Sequence, residues 1–525
     1  MITRVFVPIT LFFLFTAGSL FGQHIIPQPV ELDTAGRGVF VMDKNTRIVA
    51  VPEFLSEARQ LVNLLREAME IEVALVSGAA NDSPSNTIIF AKEDMEESEA
   101  YRLSVREGAI SIAALDKAGA LYGAMTLFQL MEKDTATNRV NIREVEIFDY
   151  PRFGWRGLML DCSRTFISMD YLKKTIDRMS FYKLNVLHLH LTDDQGWRLE
   201  INSRPQLTSE GAYFAENYSE PAAFEGYYSQ DDIRELLEYA AQKHVEIVPE
   251  IEVPGHSAAA IHAYPELSCS GRKVPIYPLL AGSPYPPNDV FCAGNPDTYV
   301  FFEEVLQEVT ALFPSPYVHL GGDEVGKHHW KACEKCQGKM KELGIADEEK
   351  LQRYMMGEVS KNVIDAGKKP IGWDEILDGG AGKEWLVMAW QGHDIGIRAA
   401  SQGFDVVMSP TSHLYFDYNY RTTPTKKVYS FQPLPDNITE EERKHFLGIQ
   451  ANFWSHIDRT ESRIDAMIYP RALALAERAW SEDNVRDYEN FTKRKEAHRQ
   501  WLRFFDVKFN WYDDPEPSPY DDIWQ

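Results

Sequence analysis

Beyond residue 149 the chain settles into a repeating order: a short unbroken apolar run, a polar loop, then a stretch with apolar positions at helical spacing. The runs fall at Gly157–Leu160, Val186–Leu191, Val245–Glu250, Tyr317–Leu320, Pro370–Trp373, Leu386–Trp390, Asp405–Met408 and Gly448–Phe453. Continuous rather than alternating apolarity predicts strands buried on both faces, as in a parallel sheet covered by helices. Helices are predicted at Tyr171–Lys183, Asp231–Lys243 and Glu349–Ala366, between successive runs. Eight strands in βα alternation is the count of a (β/α)8 TIM barrel, an α/β fold.

The residues before this pattern behave differently. From 23 to 148, strand-like runs (Val39–Val41, Ile71–Leu75, Asn86–Phe90) mix with helical spacing at Ser56–Met69 and Lys117–Glu132. That predicts a smaller α+β accessory domain, with Asp149-Tyr150-Pro151-Arg152 as the boundary and 149–525 as the barrel domain. Residues 1–22 have the pattern of a signal peptide: Arg4, an apolar stretch from Val5 to Phe15, then the small residues Ala17, Gly18, Ser19 and Gly22. Gln23 rather than cysteine follows, so no lipid anchor is indicated, and the expectation is an exported protein, periplasmic or extracellular. No later stretch reaches the roughly 18 apolar residues of a membrane span.

Composition narrows the partners. A formal charge of −25 over 525 residues argues against nucleic acid and against anionic membrane. Five cysteines leave at least one unpaired if the protein acts alone. Cys162 follows an apolar run and is expected buried and free. Cys333-x-x-Cys336 reads as a local disulfide or inert thiols, and Cys269 with Cys292 as a second disulfide. No metal is expected, because a second Cys/His pair at zinc-ligand spacing is missing.

In a (β/α)8 barrel the chemistry sits at the C-terminal strand ends. Here those ends carry Asp161 with Arg164, Asp193-Asp194, Glu252 with His256, and Asp323-Glu324. Trp373-Asp374-Glu375, Trp390, Tyr415 with Asp417, and Trp454 with His456 follow. The adjacent acids of Val318-His319-Leu320-Gly321-Gly322-Asp323-Glu324 are the most pointed of these. Neighbouring carboxylates push each other's pKa apart, so that one stays ionised while the other holds a proton. That division of labour suits glycoside hydrolysis.

Taken together, Trp155–Asp161, Leu184–Arg198, Pro249–His256, His319–Glu324, Trp373-Asp374-Glu375 and Tyr415–Tyr418 resemble the exo-acting β-N-acetylhexosaminidases of glycoside hydrolase family 20. The resemblance implies a substrate-assisted mechanism, in which the sugar's own 2-acetamido oxygen attacks the anomeric carbon. It implies Glu324 as general acid, Asp323 as the group that orients the acetamide, and Tyr415 as a donor to the acetamide oxygen. Trp373, Trp390 and Trp454 would wall the sugar. Arg164, Asp193, Asp417 and His456 would meet its hydroxyls, with His256 paired to Glu252 and tuning Glu324. His188 and His190 are expected as buried hydrogen-bonding residues. No cofactor is implied, and the substrate is a glycan of glycoprotein, mucin or chitooligosaccharide type.

Three positions depart from the family pattern: Thr165 where histidine is usual, Glu252 where aspartate is usual, and Trp454-Ser455-His456 where the family has Trp-x-Glu. The last removes a carboxylate beside O6 of the sugar. It therefore raises the alternative of a 6-O-sulfated N-acetylglucosamine substrate met by a histidine cation near neutral pH. A lacto-N-biosidase-like enzyme releasing a disaccharide and a non-catalytic carbohydrate-binding protein are further alternatives. The presence of both acids argues against the last.

Overall fold

Each of the eight apolar runs becomes one strand of a closed parallel barrel. The computed structural model describes residues 24–78, 85–215, 222–279, 290–379, 381–435 and 438–509, so the expected signal segment lies outside the described residues. The strands are β1 (Trp155–Asp161), β2 (Val186–His190), β3 (Glu246–Glu250), β4 (Tyr317–His319), β5 (Lys369–Trp373), β6 (Leu386–Ala389), β7 (Asp405–Met408) and β8 (Phe446–Phe453). Neighbours pair in chain order, and β8 closes onto β1 with Trp155 opposite Gly448. A side chain at 448 would put its Cβ 1.8 Å from the Trp155 carbonyl oxygen, so closure at this point requires glycine.

Every residue of β1 and β2 is buried, as predicted for strands covered on both faces. Inside the barrel Trp155, Val186, Val248, Ile371, Trp373, Leu386, Met388 and Val407 form one cluster. Burying side chains of this size stabilises the fold by about 1.5–3 kcal/mol each. The surrounding helices start at strong caps. Ser168 caps α1 (Met169–Phe181), and Ser229 with Asp232 forms a capping box on α2 (Gln230–Gln242). Asn295 and a first-turn proline open α3 (Pro296–Leu312), and Asp347 opens α4 (Glu348–Asp365). The predicted helices agree with α1, α2 and α4 to within two residues at either end.

The N-terminal unit is a seven-stranded sheet ordered 31–33, 145–149, 101–105, 109–114, 87–92, 47–50, 74–77. It carries helices Leu55–Met69 and Lys117–Gln129, and a small three-stranded sheet stands beside it. The strand predicted at 71–75 starts instead at Ala74. Glu70 takes a left-handed conformation and donates its N–H to the Leu65 carbonyl, so the chain is still leaving the helix when Ile71 and Val73 bury their side chains. The two units meet across a fully buried ion pair, Lys183 to Asp149 at 2.8 Å, with Asp149 also accepting from Tyr101 and Trp480.

Cys162 is buried and free. The other four cysteines form neither of the disulfides considered for them, and all four are free thiols. Cys269 and Cys292, on the loop after β3, join Cys333 and Cys336, on the loop after β4, in one cluster. The loops interlock closely: a Cβ on Gly294 would lie 2.2 Å from the Lys335 carbonyl carbon.

Candidate active site

The end of β4 sets the geometry of the barrel mouth. After His319 the backbone turns through positive φ at Gly321 (64°), Gly322 (99°) and Glu324 (49°). Gly321 has no substitute, because a Cβ there would fall 1.7 Å from Glu252 Oε2. Glu324 is not glycine, and a left-handed conformation costs such a residue on the order of 1–3 kcal/mol, a strain that clusters at functional sites. The turn sends the two neighbouring acids different ways. Asp323 is 9% exposed, whereas the Glu324 side chain is 59% exposed.

His256, itself at φ 47°, lies between the acids. Its Nδ1 is 3.2 Å from Asp193, and its Nε2 is 3.4 Å from Asp323 and 3.7 Å from Glu324. Burial opposes charge on the ring, but Asp193 and Asp323 outweigh it and hold His256 as an imidazolium. The expected His256–Glu252 pairing is therefore corrected: histidine pairs with Asp193 and Asp323. Burial, Asp323 and Glu250 push the Glu252 carboxyl well above the usual carboxylate range, so it stands as a neutral acid.

Arg164 reaches across the same wall. Its Nη2 is 2.7 Å from Asp193, its Nε donates to Gln195, and its guanidinium lies 4.8 Å from the Trp454 ring centroid. Burial disfavours an ionised Asp193, yet Arg164, His256 and His190 hold it well below the usual range. Asp193 is thus neither a helix cap nor a surface charge. Asp161 fixes the neighbouring loops by accepting from the backbone N–H groups of Ser163, Arg164 and Ser455.

The aromatic wall runs Trp390, Tyr415, Trp454, Trp373, with successive ring centroids 6.1–6.3 Å apart. Trp373 is its floor, 1% exposed, with the indole N–H donated to Glu250. Burial, then Asp417 and Asp323, push the Tyr415 phenol well above its usual pKa, so it remains an O–H donor. Burial raises the Asp417 carboxyl to about 7. For His456 the surroundings disfavour the histidine cation raised as an alternative. Burial and the Arg164 charge lower its pKa to about 4, and the ring is neutral near pH 7.

Two groups beneath the mouth carry more weight than the sequence pattern suggests. Glu250 lies within 3.2 Å of His188, 2.8 Å of His319 and 2.9 Å of Trp373 Nε1, and it also bonds His190. Burial works against an ionised Glu250, but the three histidines keep it charged. In return His190 rises to about 9 while buried His188 falls to about 4. The signal was legible as an acid inside an apolar strand. Glu375 accepts from Trp390 Nε1 at 3.0 Å, and burial and Asp323 raise it to about 8. With Gly322, Glu324, Lys327 and Trp385 it lines a cavity of about 630 Å3.

Several oxygens at this mouth are shielded from solvent and have no hydrogen-bond partner among the described residues. They are both oxygens of Glu252 and one each of Asp323, Asp374 and Asp417. Such groups are costly unless something polar completes them. Beside an exposed acid and an aromatic wall, they leave hydrogen-bonding positions open to a polar ligand with an apolar face.

Comparison with known proteins agrees with this geometry. Residues 153–483 match the catalytic domain of glycosyl hydrolase family 20, and residues 22–150 match domain 2 of that family. A β-hexosaminidase of Porphyromonas gingivalis is 37% identical over 494 residues, covering 90% of this chain and 62% of that protein. A β-N-acetylhexosaminidase of Cellulomonas fimi is 32% identical over 520 residues, covering 94% and 97%. Among solved structures, the exo-β-N-acetylglucosaminidase of Vibrio harveyi in complex with N-acetylglucosamine superposes with a TM-score of 0.85 at 33% identity. That superposition covers 93% of this chain and 78% of that one.

Proposed function

The chain belongs to glycosyl hydrolase family 20, and from that membership and the barrel mouth we infer an exo-acting β-N-acetylhexosaminidase working by substrate-assisted retaining catalysis. The observation that carries the reading is the split between neighbouring acids: Asp323 buried against His256, Glu324 exposed beside the cavity.

In this reading Glu324 protonates the glycosidic oxygen as the bond to the anomeric carbon breaks, and the carboxylate left behind then activates water. The acetamide oxygen attacks the anomeric carbon and closes an oxazolinium ring, so no carboxylate bonds to the sugar. Asp323 accepts from the acetamide N–H and offsets the positive charge that develops there. Its oxygen without a protein partner supports that role. Tyr415, kept protonated, donates to the acetamide oxygen and aims it. Trp373, Trp390 and Trp454 supply the apolar wall, while Arg164, packed on Trp454, and its partner Asp193 grip ring hydroxyls. Asp417 and His456 line the remaining edge.

The substrate class is terminal, non-reducing N-acetylglucosamine or N-acetylgalactosamine on glycans of chitooligosaccharide, mucin or glycoprotein type. The leader-like residues 1–22 support export, which sequencing the N-terminus of the mature protein checks. The function is tested with aryl β-GlcNAc and β-GalNAc, following the product anomer by NMR and adding a thiazoline mimic of the cyclised intermediate. Retained β configuration and competitive inhibition by the thiazoline are expected. Inverted product, or turnover insensitive to the thiazoline, overturns the reading.

A further inference from the structure

We propose that Cys269, Cys292, Cys333 and Cys336 hold one structural zinc ion in a closed tetrathiolate site. The four Sγ atoms lie within 4.8 Å of one another. Cys269 to Cys336 is 3.7 Å, Cys292 to Cys333 is 3.7 Å and Cys292 to Cys336 is 3.6 Å. A disulfide would bring two sulfurs to about 2.05 Å and leave the others apart. These three separations are instead nearly equal. They match the edge of a tetrahedron whose centre lies about 2.3 Å from each sulfur, which is roughly 3.8 Å for a zinc tetrathiolate.

The surroundings are built for this arrangement. Cys333 immediately precedes helix Glu334–Leu343 and Cys336 lies in its first turn, where the helix N-terminus favours thiolate charge. Cys269 and Cys292 come from positions 23 residues apart, which is why no ligand spacing is visible along the chain. They are brought side by side by a bridge between Ser268 and Phe291 and by the Cys292 N–H donated to Leu267. Gly294 then lets the two loops approach to backbone contact. Trp330 seals the region by donating its indole N–H to the Phe291 carbonyl. Two of the four thiols are buried and none of the four is exposed. Binding releases four thiol protons and leaves a site of net charge −2. Four protein ligands leave no open position, so the ion cross-links rather than catalyses. It staples the loop that follows His256 to the loop that follows Glu324.

The test uses the full-length protein purified without chelator. Elemental analysis is expected to find one zinc per chain. Under native conditions the four thiols are expected to resist alkylation, and all react once the protein is unfolded with a chelator. Cys333→Ser and Cys269→Ser are expected to lower bound zinc at least tenfold, while Cys162→Ala retains it. If the serine variants fail to fold, cobalt exchanged into the wild-type protein provides a second readout, through a thiolate-to-cobalt charge-transfer band and intense tetrahedral d–d bands. Disulfide-linked peptides with no metal, iron in place of zinc, or four freely alkylated thiols in the native protein would each overturn the proposal.

Discussion

His256 holds its Nε2 3.4 Å from Asp323 and so ties the buried acid of the pair to a cation. Without that charge, Asp323 would be left among other acids, Glu324, Glu252, Asp374 and Glu375. His256→Gln keeps a donor but removes the cation. The expected result is a kcat loss of about tenfold or more with a smaller change in KM, because the charge Asp323 offsets develops only during reaction. The pH dependence has a defined sign. The His256 pKa is raised in the folded state, so its stabilisation is fully present below about 6.5 and is lost as pH rises through the folded value. Tm should therefore fall more between pH 6 and pH 10 in wild type than in the variant. Equal falls would show that the pairing contributes nothing.

Glu324→Gln should cost about 10²-fold or more in kcat/KM on substrates with poor leaving groups, the part general acid catalysis supplies. On an aryl glycoside whose leaving group needs no proton, the loss should be much smaller. A uniform loss on both would assign proton donation elsewhere.

Glu250→Gln removes the charge shared by His188, His190, His319 and Trp373. Leaving the buried His190 cation without its counter-charge costs about 3 kcal/mol or more. Thermal unfolding should shift clearly downward, with the activity loss larger than for a substitution at the rim. A variant as stable as wild type would mean that the histidines are satisfied without it.

His456 is neutral near pH 7 and offers a 6-sulfate no charge. The plain aryl GlcNAc should have the higher kcat/KM of the two substrates. His456→Glu should penalise the 6-sulfated substrate further through like-charge repulsion, leaving the plain one equal or improved. A wild-type preference for the sulfated sugar would reverse this expectation.

The barrel was legible because strands buried on both faces leave unbroken apolar runs, and all eight strands appear where such runs stand. The rim residues were legible from their place at strand ends. What escaped was partnership through space. His256 is four residues from Glu252 yet pairs with Asp193 and Asp323, because its left-handed backbone turns the ring across the mouth. His456 looked like a titrating group because sequence gives no burial and no sight of Arg164. The cysteine cluster was hidden for a related reason, since its spacing exists only once two loops cross. In the N-terminal unit, a strand start slipped by three residues because a helix exit also buries apolar side chains.

The Lys183–Asp149 pair, with both side chains wholly withdrawn from water, sets a limit on dissecting this protein. Lys183 follows α1 of the barrel, while Asp149 ends the last strand of the N-terminal sheet. A barrel cut free after Asp149 would lose both partners of the Lys183 ammonium, Asp149 and Tyr101, and uncover the apolar surface around it, while the severed sheet would carry the matching carboxylate. Neither fragment is a ready-made module. Swapping accessory domains among relatives would succeed only where the donor brings its own acid to that socket.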